Sequence, residues 1–385
     1  NIHQAKGTPS SLETRERAAI ELASLMLQEA NRTQTHAEKK QQKQLARMMF
    51  DAKGKAFTTS MTDQCFRSHT PTRIANQLCY LLHLFGIPKY LDFWKRCQLS
   101  AFRILAPFLA PILIPLVTFM LRKETSSVIL PGEAAALSKH MKLRRKQGIR
   151  INLNHLGEAI LGEKEARRRL QVYLEDLAKP DVEYVSVKIS TIFSQIHLLA
   201  WDNCLENLAD RLRQLYRTAM EYPFEKEDGT KIQKFVNLDM EEYRDLQLTK
   251  ELFQKVLSEP EFLQFSAGIV LQAYLPDCFP IQKELTEWSI ERVKKGGAPI
   301  KIRIVKGANL AMEQFEASVR GWPQAPYKLK SEVDANYKRM VSYGCQRKHA
   351  EAVHLGIGSH NLFDIAYAML IRAEHEVENY VSFEM

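Results

Sequence analysis

Seven short runs in the second half of the chain alternate apolar with polar side chains, and this alternation limits the fold more than any other feature. They cover 149–154, 184–190, 235–239, 269–274, 300–306, 353–360 and 380–385. An extended strand sends successive side chains to opposite faces, so each run has one oily face and one polar face. Segments long enough for helices separate the runs, and strand–helix alternation predicts a parallel β/α architecture. The oily faces are expected to pack beneath helices and the polar faces to converge on a barrel interior. Counting in twos, those polar faces carry Asn152 and Asn154, Ser186, Lys188 and Ser190, Asn237 and Asp239, Gln272 and Tyr274, Arg303, His354 and His360, then Ser382 and Glu384. Strands buried on both sides usually read as nearly continuous apolar runs. These do not, so the interior is expected to hold polar chemistry. In a (β/α)8 barrel the strand C-termini build the active site, and Lys188, Asp239, Tyr274 and His360 fall at or near such ends.

The intervening segments carry helical periodicity over 163–177, 202–216, 241–257 and 361–374, as in the stripe Leu205, Leu208, Leu212 and Leu215. The first third is different in kind. Ser11 precedes an amphipathic stretch to residue 30 with Ile20, Leu22, Leu25, Met26 and Leu27, and a very polar arm follows over 31–44. Residues 104–121 are uncharged for 18 positions, at the lower limit for a membrane span. Pro107, Pro111 and Pro115 interrupt them, and Arg103 and Arg122 bracket them, which favours short buried helices or a lipid-touching surface over a spanning helix. The expected organisation is a helical arm and helical domain over 1–131 and a barrel over 132–385.

Length, charge and cysteines exclude more than they assign. A chain of 385 residues is expected to form two or three units. The excess behind the net charge of +9 is concentrated in places such as 139–150, where a solvated helix face is the ordinary use and a phosphate or anionic membrane the other. No zinc-finger spacing, Arg/Gly tract or aromatic signature accompanies it, which excludes nucleic acid. Six cysteines without a CxxC pair speak against zinc and a disulfide framework and suit a reducing compartment. The opening residues lack the plan of a signal peptide. A chain that starts without Met and stops on a strand is expected to be a fragment.

The interior residues leave three uses open. Lys188, or Lys306, could act as a Schiff-base nucleophile in a lyase or aldolase. Asn, Gln, Arg and Asp around one mouth would equally suit hydrogen bonds to a heterocyclic cofactor. A non-catalytic, membrane-associated barrel would account for the apolar stretch and the basic run. His354 and His360 have no carboxylate at ligand spacing, so no metal is expected. Neither GxGxxG nor GxxxxGK[ST] occurs, so Rossmann and P-loop sites are not expected.

Ordered blocks narrow these. Lys55-Ala-Phe-Thr-Thr-Ser-Met-Thr-Asp-Gln64, Glu124-Thr-Ser-Ser-Val-Ile-Leu-Pro131, Leu156-Gly-Glu-Ala159, Ser186-Val-Lys-Ile-Ser190, Asn237-Leu-Asp239, Gln272-Ala-Tyr274, Ile302-Arg-Ile-Val-Lys-Gly-Ala308 and Ser359-His-Asn361 run in one order from about residue 45 to the end. Together they resemble the proline dehydrogenase half of the bifunctional proline utilization A family. The resemblance implies a distorted (β/α)8 barrel, here truncated after strand 7 and preceded by a helical arm and domain. It implies bound FAD and oxidation of L-proline to Δ1-pyrroline-5-carboxylate by hydride transfer to flavin N5, the first step of proline catabolism to glutamate. Electrons would pass to a membrane quinone. A fused aldehyde dehydrogenase half would lie beyond residue 385, homo-oligomers are compatible with it, and the setting would be cytoplasmic with peripheral contact at the inner face of the cytoplasmic membrane.

By residue, the resemblance makes Lys188, Asp239 and Arg303 the catalytic group, with Arg303 stabilising the electron-rich reduced flavin. Gln272 would meet the flavin ring, and the backbone at Val305, Gly307 and Ala308 would pass beside it. Lys330 would reach the phosphates, Ser359, His360 and Asn361 the ribityl chain or phosphates, and Glu384 with Met385 the adenine side. Asn154, Lys188, Tyr274 and Asn309 would line the proline pocket. Three departures stand out: Asn309 and Leu310 replace aromatic residues, Asn154 replaces an aspartate, and the family's last helix, with its substrate-clamping arginines, is not within these 385 residues.

Overall fold

The computed structural model describes residues 7, 11–125, 133–155 and 160–384. They form two compact units, one made of Asn1–Gln28 with Met141–Met385 and the other of Glu29–His140. The boundary expected at 131 lies outside the described residues, as do the blocks at 126–131 and 156–159. The N-terminal helix Leu12–Thr33 begins within the larger unit. There Arg15 makes a bidentate pair with the buried Glu374 (Nε to Oε1 3.1 Å, Nη2 to Oε2 2.6 Å), and Glu16 accepts from Lys338 (2.8 Å).

The larger unit is a curled parallel sheet of seven strands. In chain order the strands are β1 (Asn152–Asn154), β2 (Tyr184–Lys188), β3 (Phe224–Glu225), β4 (Lys231–Ile232), β5 (Phe235–Asp239), β6 (Gly268–Gln272), β7 (Ile300–Val305), β8 (Val353–Gly358) and β9 (Val381–Glu384). The sheet order is β1-β2-β5-β6-β7-β8-β9, so each expected run supplies one neighbour-to-neighbour strand. The antiparallel hairpin β3–β4 is an addition that the alternation did not reveal. Helices Glu163–Ala178, Trp201–Glu221, Leu246–Leu257, Cys278–Lys294, Lys330–Gly344 and Leu362–Glu374 alternate with the strands. The helix expected from 241 begins at Leu246, because 241–245 form a loop and a tight turn at the barrel mouth. Alternation works as expected in β7: Ile300, Ile302 and Ile304 are fully buried on the outer face, while Lys301, Arg303 and Val305 are half-buried on the inner one.

Two buried cations tie the outer shell together. Lys234 donates to the carbonyls of Leu177 and Lys179 at the end of helix Glu163–Ala178, and burial holds its ammonium down to about 8. Arg292 donates to the carbonyls of Leu257, Phe262, Leu263, Phe265 and Ala298. These carbonyls lie at helix ends and turns, and those of Lys179, Phe262 and Leu263 also accept a backbone N–H.

The smaller unit is helical. Its core is Phe57, Cys65, Ile74, Ala75, Leu78, Leu81, Leu82, Phe102, Ala106, Ala110 and Ile114. The polar arm is helical too, as His36–Met49, with Thr35 and Glu38 closing a capping box. Residues 104–121 lie inside one helix, Phe93–Thr125, with a break in helical geometry at Leu109, between Pro107 and Pro111. Among the described residues, Phe93–Arg122 is long and apolar enough to cross a membrane, yet its buried residues belong to this unit's core.

Arg292→Met removes the side-chain donor from five carbonyls while roughly keeping volume, and of these Phe262 and Leu263 retain a backbone donor from a turn or loop. It is expected to lower unfolding stability by about 3 kcal/mol, read from urea denaturation midpoints.

Candidate functional site at the C-terminal strand ends

The interior of the curl is layered. At the strand starts, Tyr184 and Phe235 meet edge to face with centroids 5.0 Å apart, and the Lys301 ammonium sits 5.6 and 5.9 Å from the two rings. Above them Ser186 accepts from Asn152 (2.8 Å) and Asn237 (3.3 Å). Glycine is required beside this layer at Gly268, where a Cβ would fall 2.5 Å from Asn237 Oδ1.

The next layer carries the charge. Parallel register sets Lys188 directly beside Asp239. Asn154 donates to Asp239 Oδ2 (2.8 Å), and Arg303 Nη1 lies 3.7 Å from Oδ1. Burial pushes the Asp239 carboxyl up, against the opposing pull of Arg303, the Asn154 bond and Lys188. Glu384 pairs with Lys301 and lies 3.2 Å from Arg303 Nε. That last contact is near in distance but misaligned as a hydrogen bond, so Arg303 Nε keeps donor capacity. Glu384 therefore engages the interior cations beside Arg303. Met385 lies outside the described residues.

Glu241 is the residue that strand counting missed. It follows β5 by two positions, outside any run, and gathers four partners. Its carboxylate accepts from Lys188 (2.9 Å) and Ser190 (3.1 Å), and its carbonyl from Asn309 (2.8 Å) and Gln272 (3.4 Å). The spacing Asp-x-Glu at a strand end was the available signal. Lys301 was missed as well, although it lies two residues before Arg303 on the same face.

Three residues counted as strand positions lie past the strands. Ser190 falls in the short helix Ile189–Ile192, Tyr274 follows β6, and His360 follows β8. Tyr274 is buried under the β7 loop, and burial followed by Glu313 pushes its phenol well above the ordinary range. Gly307 passes over it with φ +131, where an added Cβ would lie 2.3 Å from the ring. Val305 accepts from Ala273 N (2.7 Å), while Gly307 and Ala308 are exposed. On β8, Gly356 and Gly358 leave a strip of interior wall without side chains next to Arg303. Ser359 donates to Asp364 (2.9 Å), Asn361 caps helix Leu362–Glu374 through Phe363 N (2.9 Å), and His360 is exposed at that helix start.

Lysines 306 and 330 point elsewhere. Lys306 binds Asp334 (2.5 Å) and Asp364 (2.7 Å), and although burial opposes it these carboxylates hold its ammonium above the ordinary value. Lys330 is exposed and pairs with Asp334 (2.7 Å). No group of metal-ligating side chains occurs among the described residues.

A parallel β/α barrel sheet with a polar, charged interior and its loops at the strand C-termini defines a small-molecule enzyme architecture. A family model for proline dehydrogenase matches residues 137–385, and the chain belongs to that family. Bifunctional protein PutA of Klebsiella aerogenes and of Escherichia coli (strain K12) are each 27% identical over 216 residues, covering 53% of this chain and 15% of theirs. Proline utilization A from Corynebacterium freiburgense is 45% identical over 69% of this chain and 27% of its own, with a TM-score of 0.63. Proline utilization A from Bdellovibrio bacteriovorus, inactivated by N-propargylglycine, covers 96% of this chain and 37% of its own at 26% identity and a TM-score of 0.75. The chain thus spans well under half the length of these relatives.

The mouth also carries a titratable switch in stability. Asp245 is buried, and desolvation, opposed by Arg244 and reinforced by Glu242, Glu241 and Glu313, raises its carboxyl from 3.8 to about 6. A raised carboxyl contributes stability below its unfolded value that is lost as pH rises through the folded one. Relative to Asp245→Asn, the wild type is expected to lose about 1–3 kcal/mol between pH 4 and pH 6.5, read from paired urea titrations.

Proposed function

We propose that this chain is the FAD-binding, proline-oxidising part of a longer enzyme and converts L-proline to Δ1-pyrroline-5-carboxylate. The observation that carries the reading is the layer of Asn154, Lys188, Asp239, Arg303 and Glu384 at the strand ends of a proline dehydrogenase family member. The residues fit a flavin on structural grounds. Arg303 Nε has unused donor capacity, and a helix start, that of Leu362–Glu374, follows β8 at the mouth, where first-turn backbone N–H groups can hold phosphate. Arg303 and Gln272 would hold the ring, with the backbone at Val305, Gly307 and Ala308 along it. Ser359, His360 and Asn361 would hold the ribityl chain or phosphates, and Lys330 would reach the phosphates by releasing Asp334. Glu384 and Met385 would lie toward the adenine side.

When bound, FAD supplies the two-electron acceptor for the C–H bond beside the proline nitrogen, with flavin N5 as the hydride acceptor. This chain's residues do the rest. Arg303 places positive charge where electron density grows. Lys188, fixed by Glu241, and Asp239, fixed by Asn154, set the charge balance around the substrate ammonium. Asn154 replaces a carboxylate with an amide donor, so the pair with Asp239 forms without repulsion. Tyr274 and Asn309 shape the pocket wall. Electrons would leave to a membrane quinone, at the inner face of the cytoplasmic membrane, and an aldehyde dehydrogenase in the same polypeptide would take the product onward. Self-association is part of the same proposal. The lyase reading gains nothing from Lys306, whose carboxylate partners favour the charged ammonium over the free amine that imine formation needs.

The test is an anaerobic visible spectrum of the FAD-supplemented protein before and after L-proline. Bleaching of the flavin bands supports the proposal; no flavin retained after added FAD sinks it. Arg303→Met is expected to slow flavin reduction by about 10²-fold in stopped flow, in line with loss of one pre-aimed charge.

A further inference from the structure

We infer that Lys301 is a positioning residue for Arg303: it holds the Glu384 carboxylate, so that Arg303 keeps its Nε donor and its charge for the cofactor. Lys301 stands two residues before Arg303 on the inner face of β7. Glu384 comes from β9, and β8 lies between the two strands. The carboxylate crosses β8 over a bare position. A Cβ on Gly356 would fall 2.5 Å from Glu384 Oε1 and 3.1 Å from Lys301 Cε, so a side chain there would displace the pair. Lys301 is itself held. Its side chain is 12% exposed, and the rings of Tyr184 and Phe235 lie 5.6 and 5.9 Å from its ammonium.

Glu384 stands between two cations and lies closer to one of them. Its contact with Lys301 is the shorter ion pair, while its Oε2 is 3.2 Å from Arg303 Nε and misaligned for a hydrogen bond. The layer as a whole then balances. Lys188, Lys301 and Arg303 meet Glu241, Glu384 and Asp239, three cations to three carboxylates. Without Lys301 the count becomes two to three, and of the two cations in contact with Glu384 Arg303 remains. In an interior that screens charge weakly, Glu384 would close on Arg303 and occupy its Nε. An arginine so engaged offers less positive potential to a ring that gains electrons. The use made of that potential rests on the flavin reading; the arrangement of Lys301, Glu384 and Arg303 does not.

The experiment compares the full chain as wild type, Lys301→Met, Lys301→Arg, Glu384→Gln and the double variant Lys301→Met with Glu384→Gln. Without FAD, solvent exchange of the Arg303 Nε–H proton is read by NMR of arginine-labelled protein, the signal being assigned by its loss in Arg303→Met. Exchange is expected to slow at least tenfold in Lys301→Met, as Nε closes on Glu384. It is expected to return within threefold of wild type in Lys301→Arg and in the double variant. With FAD bound, Lys301→Met is expected to lower the ratio of reduced to oxidised flavin affinity at least tenfold, a midpoint potential lower by about 30 mV for a two-electron couple. The double variant is expected to recover that loss. Lys301→Gln, which keeps a donor for Glu384 but no charge, takes the place of Lys301→Met should the latter not fold. Unchanged exchange overturns the inference, and so does a change that persists in full in the double variant, since a packing role would not pass through Glu384. A wild type that retains no FAD defeats the dehydrogenase reading, and the exchange measurement still decides the role of Lys301. Proline-dependent bleaching together with unchanged exchange in Lys301→Met defeats this inference and leaves the dehydrogenase reading standing.

Discussion

Charges of alternating sign cross the inside of the sheet: Asp239 on β5, Arg303 on β7, Glu384 on β9 and Lys301 back on β7. Taking such groups out of water costs several kcal/mol each unless every one meets an opposite charge or a hydrogen bond. The sheet meets that condition through register alone. Parallel pairing sets Lys188 beside Asp239 and Arg303 beside Gly356, and the curl brings β5, β7 and β9 within reach of one another. A slip of one residue in any of these strands would turn its charges onto the face covered by helices. The outer faces, with Ile300, Ile302 and Ile304 at their clearest, hold that register in place.

The polar interior also explains the glycines. Gly268 leaves room for Asn237, and Gly356 for Glu384, so the wall is bare where a neighbour's side chain must lie. Gly307 serves a different end. Its positive φ lets the β7 loop close over the Tyr274 ring, which ties the loop after β7 to the end of β6. Glu241 extends this linkage, because one residue holds Lys188 by its carboxylate and the end of β6 and the loop after β7 by its carbonyl. The site is consequently a set of coupled loops over a rigid charged layer, in the manner expected of barrel enzymes.

Seven strands, their order of occurrence and most of their inner residues, Lys301 excepted, were legible from period-two alternation, and Lys188, Asp239 and Arg303 fall together as that alternation predicts. Strand ends were less legible. The alternation runs on through Ser190 and Tyr274 although the backbone has left the sheet, since polarity continues in a mouth loop for its own reasons. Glu241 escaped because a loop residue has no period to betray its direction. The contacts of the first helix were not legible either, because they are carried by Arg15, Glu16 and their distant partners Glu374 and Lys338, pairs separated by more than three hundred positions.

The sequence by itself determined the β/α class, the polar interior and the family, because these are written in local periodicity and in ordered blocks. Tertiary structure decided which charges meet. It showed that Glu384 answers Arg303 and Lys301, that Asn154 serves Asp239, and that Lys306 turns away toward Asp334 and Asp364. It also showed that the apolar helix gives one face to a core and leaves the other in solvent. Pairing of that kind depends on strand register and curl acting between remote segments, and no local pattern in a chain encodes it.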